Sequence, residues 1–160
     1  MFATRKNARH VCFSVITYLD DDNWGEHFRK CLHDGYPYAY CIHDKDAKVD
    51  GTPDKPHCQA MIRIPNGKTI SAFAKAFNLK ENLVQGVSSY VSYAVYLVHA
   101  DFDSLVAGKY QYPSENIKGS LREEVMRIID NAQNIRQASS KEDDSNIISI
   151  LDYIDSCDYH

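Results

Sequence analysis

The sequence lacks long apolar runs and any recurring cysteine motif. No stretch of its 160 residues approaches the roughly 18 consecutive apolar residues of a membrane-spanning helix, so we expect no membrane partner. The five cysteines are scattered and form no Cys-x-x-Cys pair. This argues against a disulfide scaffold or a zinc ribbon and favours a reducing cytoplasm. The length fits one domain, or one domain with a short appendage.

The sequence also lacks the basic surplus that is typical of nucleic-acid-binding proteins, since its net charge is −4. The excess of negative charge is unevenly distributed along the sequence. Residues 1–119 carry 14 Lys and Arg against 13 Asp and Glu, whereas residues 120–160 carry 4 against 9. The charge count therefore does not exclude a nucleic-acid partner for residues 1–119, and it predicts a separate role for residues 120–160.

Segments rich in β-branched and aromatic residues predict four strands, with two helices between them, in the order β-α-β-β-α-β. This is the split βαβ, ferredoxin-like order of an α+β protein, an antiparallel sheet with helices packed on one face. The first helix is expected to carry Trp24, Phe28 and Leu32 on one apolar face, and another helix to run from Ser88 or Ser89 to about His99. Apolar spacing after residue 120 predicts a helical C-terminal tail, with a further helix beginning at Ile147.

Two polar side chains share one face of the third predicted strand. Because successive strand residues point to opposite faces, His57 and Gln59 point one way while Cys58, Ala60 and Ile62 form an apolar face. Imidazole nitrogen and amide oxygen both bind divalent cations. The same spacing is typical of a solvated polar strand face, so it does not decide between the two interpretations.

The preceding predicted strand ends in residues 43–46, His-Asp-Lys-Asp. The connection over residues 44–56 contains Gly51 and two prolines, which predicts a hairpin. Such a hairpin would bring its first residues beside His57 and Gln59, where an Asp or a His would complete a set of three ligands. A charged turn without a metal is the alternative interpretation.

Tyr90, Tyr93 and Tyr96 recur at every third position of a predicted helix that ends near His99. Residues at this spacing are neighbours on a helix surface. A tyrosine hydroxyl beside a divalent cation can attack a phosphodiester and form a phosphotyrosyl intermediate. Aromatic residues at helical spacing are also typical of a helix that packs in a core.

Basic residues around these segments could contact DNA phosphates. They are Lys45, Lys48, Lys55, Arg63 and Lys68. Alone, the same five residues are equally consistent with a soluble, charged surface.

Taken together, these segments resemble the replication initiators of rolling-circle plasmids from Gram-positive bacteria, a branch of the HUH endonucleases. The matching segments are residues 40–46 (YCIHDKD), 50–51 (DG), 55–59 (KPHCQ), 96–99 (YLVH) and 109–112 (KYQY). Their order and spacing agree from about residue 10 to residue 115. The combination is specific, although each segment alone is not.

The resemblance implies a metal-dependent, site-specific, single-strand DNA nickase within residues 1–119. The implied metal ligands are His43, Asp46, His57 and Gln59. Tyr96, in the Tyr-Leu-x-His segment, becomes the expected nucleophile, with Tyr93 as the alternative one turn away. Many members of the family have His where this sequence has Gln59, and a neutral amide favours Mn²⁺ or Mg²⁺ over Zn²⁺.

The resemblance further implies single-stranded or hairpin origin DNA with direct repeats as substrate, the host replication machinery as partner, and the bacterial cytoplasm as location. Residues 120–160 would begin an oligomerisation module that supports a homo-oligomer. Two alternatives stay open. One is a mobilisation relaxase with the same chemistry. The other is a non-enzymatic, ferredoxin-like nucleic-acid-binding module that stacks bases on sheet aromatics such as Tyr38 and Tyr40.

Overall fold

A computed structural model describes residues 7–140, with side chains as far as residue 138. Within this range the chain forms four strands, five helices and two short 3₁₀ turns. The elements are β1 (His10–Tyr18), α1 (Glu26–Asp34), β2 (Tyr38–His43), β3 (His57–Lys68), α2 (Ile70–Ala76), β4 (Val84–Gly86), α3 (Tyr90–Tyr96), α4 (Phe102–Val106) and α5 (Arg122–Ser140), with 3₁₀ turns at Glu81–Leu83 and Ser114–Asn116. The helix predicted from Ile147 lies outside the described residues.

The four strands form one sheet in the order β2-β3-β1-β4, and every neighbouring pair is antiparallel. This is the strand order of the ferredoxin-like plan, so the predicted α+β class is confirmed. β3 is central, and its register sets the site described below. His57 lies between Tyr18 of β1 and His43 of β2 in one row of the sheet. Gln59 lies one pleat further along on the same face.

Helices α1 and α2 cover one face of the sheet, where Phe13 stacks on Phe73 at 4.0 Å between ring centroids. The prediction named only one covered face. In the structure α3 and α5 pack on the opposite face as well, against Ala39, Cys41 and Met61. The strand pattern did not predict this second layer of helices. The face that they cover is apolar at its centre but polar at the end that holds His57 and Gln59.

Helix α5 begins as part of this core. Leu121, Val125 and Ile129 are all buried in the cluster that covers the second face. Gly119 turns the chain into the helix with φ of +111°, and a Cβ at this position would lie 2.5 Å from the Tyr38 carbonyl oxygen. The start of residues 120–160 therefore packs with the sheet. None of the helices in the described part of the chain has the length and apolarity that crossing a bilayer requires.

Helix α1 differs from its predicted face. It begins at Glu26, after Trp24, and its buried residues are His27, Phe28 and Cys31. The expectation for Leu32 is wrong, since this side chain is 69% exposed. Around a helix of 3.6 residues per turn, Leu32 lies about 40° beyond Phe28 and further still from Cys31 and His27, so it falls outside the buried stripe.

We expect His27 to make the fold sensitive to acid. The residue is 3% exposed, and neither of its ring nitrogens has a hydrogen-bond partner in the described structure. Burial lowers the pKa of His27 to about 4. Between pH 6.5 and about pH 4, His27 is therefore protonated in the unfolded chain but neutral in the folded chain. This contribution to stability is complete above pH 6.5 and falls away towards pH 4, by about 3 kcal/mol in total.

Chemical unfolding at pH 7 and at pH 4 measures this loss. His27→Gln cannot titrate, so its free energy of unfolding should fall by about 3 kcal/mol less than that of the wild type over the same interval. His33→Gln is the matched control, because His33 lies on the same helix with its side chain 88% exposed. Equal acid losses in the wild type and His27→Gln would refute the prediction.

Candidate active site

A cleft of about 740 Å³ opens at the end of the sheet where β2 ends and β3 begins. The hairpin between these strands forms one wall. The end of α3 and the loop after α4 form the other. All four predicted metal ligands and the predicted nucleophile line this cleft: His43, Asp46, His57, Gln59 and Tyr96. The hairpin that was predicted from glycine and proline therefore brings the separate motifs together.

Asp46 lies at the base of that hairpin. Its backbone carbonyl accepts a hydrogen bond from the Asp54 amide at 2.9 Å, and an isolated bridge joins Ala47 to Pro53. The Tyr112 hydroxyl donates to Asp46 Oδ1 at 2.6 Å. Burial alone would raise the pKa of Asp46, but the His43 and Tyr112 side chains lower it to about 2. Asp46 is therefore an anion at neutral pH.

Two imidazoles each place one ring nitrogen near this carboxylate. His43 Nε2 lies 2.7 Å from the Leu97 carbonyl oxygen, and His57 Nδ1 lies 3.0 Å from the Lys55 carbonyl oxygen. Because a carbonyl only accepts, a ring proton is assigned to each of these nitrogens. The remaining nitrogens, His43 Nδ1 and His57 Nε2, lie 3.4 and 3.8 Å from Asp46 Oδ2.

This arrangement suits a bound cation. His43 Nδ1 is buried and has no hydrogen-bond partner in the described structure. A nitrogen of each ring lies within 3.8 Å of the same Asp46 oxygen, which gathers two nitrogen donors and one oxygen donor where a divalent cation could bind. The backbone carbonyls that hold the other ring nitrogens fix the ring orientation, as is usual for metal-binding histidines. The side chains present therefore fit a divalent metal.

His99 also lies at this site, although the residue pattern did not predict it as a ligand. His43, Asp46 and His99 offer ligand atoms that all lie within 4.8 Å of one another, and they form a possible metal-binding site in the structure. Helix α3 ends at Tyr96, before the predicted end, and His99 follows with φ of +60°. This left-handed turn is rare for a residue with a side chain, and His99 Nδ1 lies 3.7 Å from Asp46 Oδ1 and 3.1 Å from the Tyr110 carbonyl oxygen.

Tyr112 is the second functional residue that the residue patterns missed. Its ring stacks on His43 with centroids 4.6 Å apart, and its hydroxyl bonds to Asp46. Burial and the Asp46 hydrogen bond raise the pKa of Tyr112, so it stays a donor to the carboxylate. Both His99 and Tyr112 belong to segments that carried the family resemblance (YLVH and KYQY), and this was the one available signal.

Gln59 lies on the same face as His57, as predicted, but it is 4% exposed beneath α3. Its side-chain amide donates a hydrogen bond to the Tyr93 hydroxyl. The Gln59 carbonyl oxygen is then the atom with which it could bind a cation. Burial raises the pKa of Tyr93, whose hydroxyl is engaged with Gln59.

Tyr96 is the last residue of α3, and its ring lines the cleft beside the metal site. The Ser89 side chain caps the start of this helix by accepting the Ser92 amide, as predicted from the sequence. The Tyr96 and His99 ring centroids are 5.5 Å apart. Unlike Tyr93, the side chain of Tyr96 belongs to neither hydrophobic cluster of the described residues.

The five basic residues that were predicted to contact DNA do not all come together. Lys45 and Lys48 line the cleft. Lys55 lies near it, with its ammonium over the Tyr18 ring. Arg63 instead contacts Glu124 at 3.8 Å and the Tyr90 ring, and Lys68 lies at the far end of β3. Lys109, which the sequence analysis did not single out, also lines the cleft.

Comparison with protein families identifies the chain. The family described as plasmid replication protein, origin binding domain, matches residues 5–124, which is three quarters of the sequence. The chain belongs to this family. It is therefore a DNA-binding protein of plasmid replication, as the resemblance predicted. No curated protein matches the chain.

Proposed function

We propose that this plasmid replication initiator works by the rolling-circle mechanism, as an HUH endonuclease that nicks and rejoins one DNA strand at the origin. One observation carries this proposal. His43 Nδ1 and His57 Nε2 lie 3.4 and 3.8 Å from Asp46 Oδ2, in the cleft that also holds Tyr96. A cation site beside an accessible phenol is what a tyrosine-dependent phosphoryl transfer requires.

We assign the metal to His43, Asp46 and His57, with the Gln59 carbonyl oxygen as a further ligand. His99 adjoins the same carboxylate and is either a further ligand or a donor that orients it. This donor set of nitrogen and oxygen suits Mn²⁺ or Mg²⁺. Such an ion would polarise the scissile phosphate and offset the negative charge that develops on it.

Tyr96 carries out the covalent step. Its phenolic oxygen forms a bond to phosphorus while the bond from phosphorus to the 3′-oxygen breaks. The phenolic proton passes to solvent, and the departing 3′-oxygen gains a proton from solvent. The products are a 5′-phosphotyrosyl adduct and a free 3′-hydroxyl that can prime synthesis. Because one phosphodiester replaces another, the reverse reaction can rejoin the strand.

Lys45, Lys48 and Lys109 place positive charge along the cleft that would receive the DNA backbone. Phosphate contacts of this kind hold the strand in position but carry no sequence information. The origin-binding family favours a role in replication over the related mobilisation relaxases, which would use the same chemistry. Residues 120–160 are proposed to contribute to self-association, beyond the part of α5 that packs in the core.

The proposal is tested with DNA that carries the cognate origin. With Mn²⁺ the protein should nick one strand and become covalently attached to it, and chelation of the metal with EDTA should abolish both products. DNA with a scrambled origin of equal length is the control. Binding of the origin without nicking at any tested divalent metal would contradict the proposal and favour the non-enzymatic module.

A further inference from the structure

Three tyrosines of the described chain stand apart from the others. Nine tyrosines lie in the described residues, and six of them belong to or pack against the two hydrophobic clusters. The remaining three are Tyr18, Tyr96 and Tyr110, and all of them line the active-site cleft. Core packing therefore accounts for six rings, and the three cleft rings lie outside the two clusters.

Each of these three rings has a lysine ammonium close to it. Lys55 Nζ lies 4.6 Å from the Tyr18 centroid, Lys109 Nζ lies 5.4 Å from that of Tyr96, and Lys45 Nζ lies 5.1 Å from that of Tyr110. Lys55 is also held by Asp20 at 2.9 Å, and Lys45 donates to the Tyr110 hydroxyl at 3.3 Å.

A ring paired with an ammonium matches the two parts of a nucleotide. If the ammonium pairs with a phosphate instead of the ring, the ring face that it covers becomes open to the adjoining base. Proteins that bind single strands combine the same two elements, a basic groove and aromatic side chains on which bases stack.

Tyr18 and Tyr110 adjoin different members of the metal site. Tyr18 lies opposite His57 in the sheet register, with ring centroids 6.3 Å apart. The Tyr110 carbonyl is bonded to His99, and the Tyr110 ring is 40% exposed. Tyr96 is assigned to the chemistry, and the two remaining rings therefore adjoin the metal site at two different histidines.

We propose that Tyr18 and Tyr110 are base-stacking positions that bind unpaired nucleotides flanking the scissile phosphate. The proposal rests on the function proposed above, since it uses the same cleft. In a duplex the faces of each base are covered by its neighbours, so only an unpaired strand can place bases on these rings.

Binding without cleavage tests this inference. The probe is fluorescein-labelled oligo(dT) of 12 nucleotides, measured by fluorescence anisotropy with EDTA present so that nicking cannot contribute. Tyr18→Ala and Tyr110→Ala should each weaken binding about tenfold, the usual order for loss of one stacked base. Tyr18→Phe and Tyr110→Phe keep the ring and should bind within about twofold of the wild type.

A second probe has the phosphate backbone but no bases. With an abasic oligonucleotide of equal length, the Ala variants and the wild type should bind equally, because stacking is absent for all of them. Ala variants that bind oligo(dT) as tightly as the wild type would overturn the proposal. So would Phe variants as weak as the Ala variants, or an undiminished Ala effect on the abasic probe. None of these outcomes depends on nicking, so they are independent of the proposed reaction.

Discussion

Tyr96→Phe will abolish strand nicking and the covalent protein–DNA adduct, with a loss of rate of at least about a thousandfold. The substitution removes only the phenolic oxygen, which is the atom proposed to attack phosphorus. The ring remains, so its contacts with His99 and Lys109 are retained. Binding of the same origin DNA should stay within about twofold of the wild type. The measurement is a single-turnover nicking assay with Mn²⁺, resolved on a denaturing gel.

Tyr93→Phe is the matched control, because it removes a hydroxyl one helical turn away. That hydroxyl accepts a hydrogen bond from Gln59, and burial raises the pKa of Tyr93, which makes it a poor nucleophile. We expect less than about a tenfold loss of rate from Tyr93→Phe. If Tyr96→Phe still nicks and Tyr93→Phe does not, the assignment of the nucleophile is wrong and Tyr93 takes its place.

Asp46→Asn will weaken Mn²⁺ binding by at least about a hundredfold, because the carboxylate is the one formal negative charge in the proposed ligand set. The low pKa of Asp46 keeps it ionised at neutral pH, so the wild type has this charge ready for a cation. Calorimetric titration of the metal-free protein with MnCl₂ measures the effect without any need for activity.

Asp44→Asn is the matched control for this titration, since Asp44 lies two residues away and is exposed. It should bind Mn²⁺ as the wild type does. Unchanged affinity in Asp46→Asn would contradict the proposed metal site. The comparison of His57→Ala with His99→Ala then tests the ligand assignment, because we expect the larger loss from His57.

The strand that holds half of the proposed metal site was predictable from local rules. Alternation along β3 places His57 and Gln59 on one face and Cys58, Ala60 and Ile62 on the other, and the structure has this arrangement. Glycine and proline in residues 44–56 predicted the hairpin that carries Asp46 to the same end of the sheet. Period-two alternation and turn chemistry depend only on neighbouring residues, so a single sequence reveals them.

The remaining contacts depend on where distant segments come to lie. His99 reaches Asp46 because α3 ends at Tyr96 and the chain then takes a left-handed turn, which the apolar and aromatic spacing did not predict. Tyr112 bonds to a carboxylate 66 residues before it in the chain. Gln59 is buried rather than solvated because α3 covers it. Helix α3 belongs to the second layer of helices, which the strand pattern did not predict.

The most direct test of the account is to locate the DNA on the protein. After reaction with origin DNA and Mn²⁺, the adduct is digested with protease and nuclease, and the modified peptide is sequenced by mass spectrometry. The account predicts a nucleotide joined through a 5′-phosphate to Tyr96, in the peptide that contains residues 96–99. A reaction that nicks the origin yet leaves Tyr96 unmodified would contradict it.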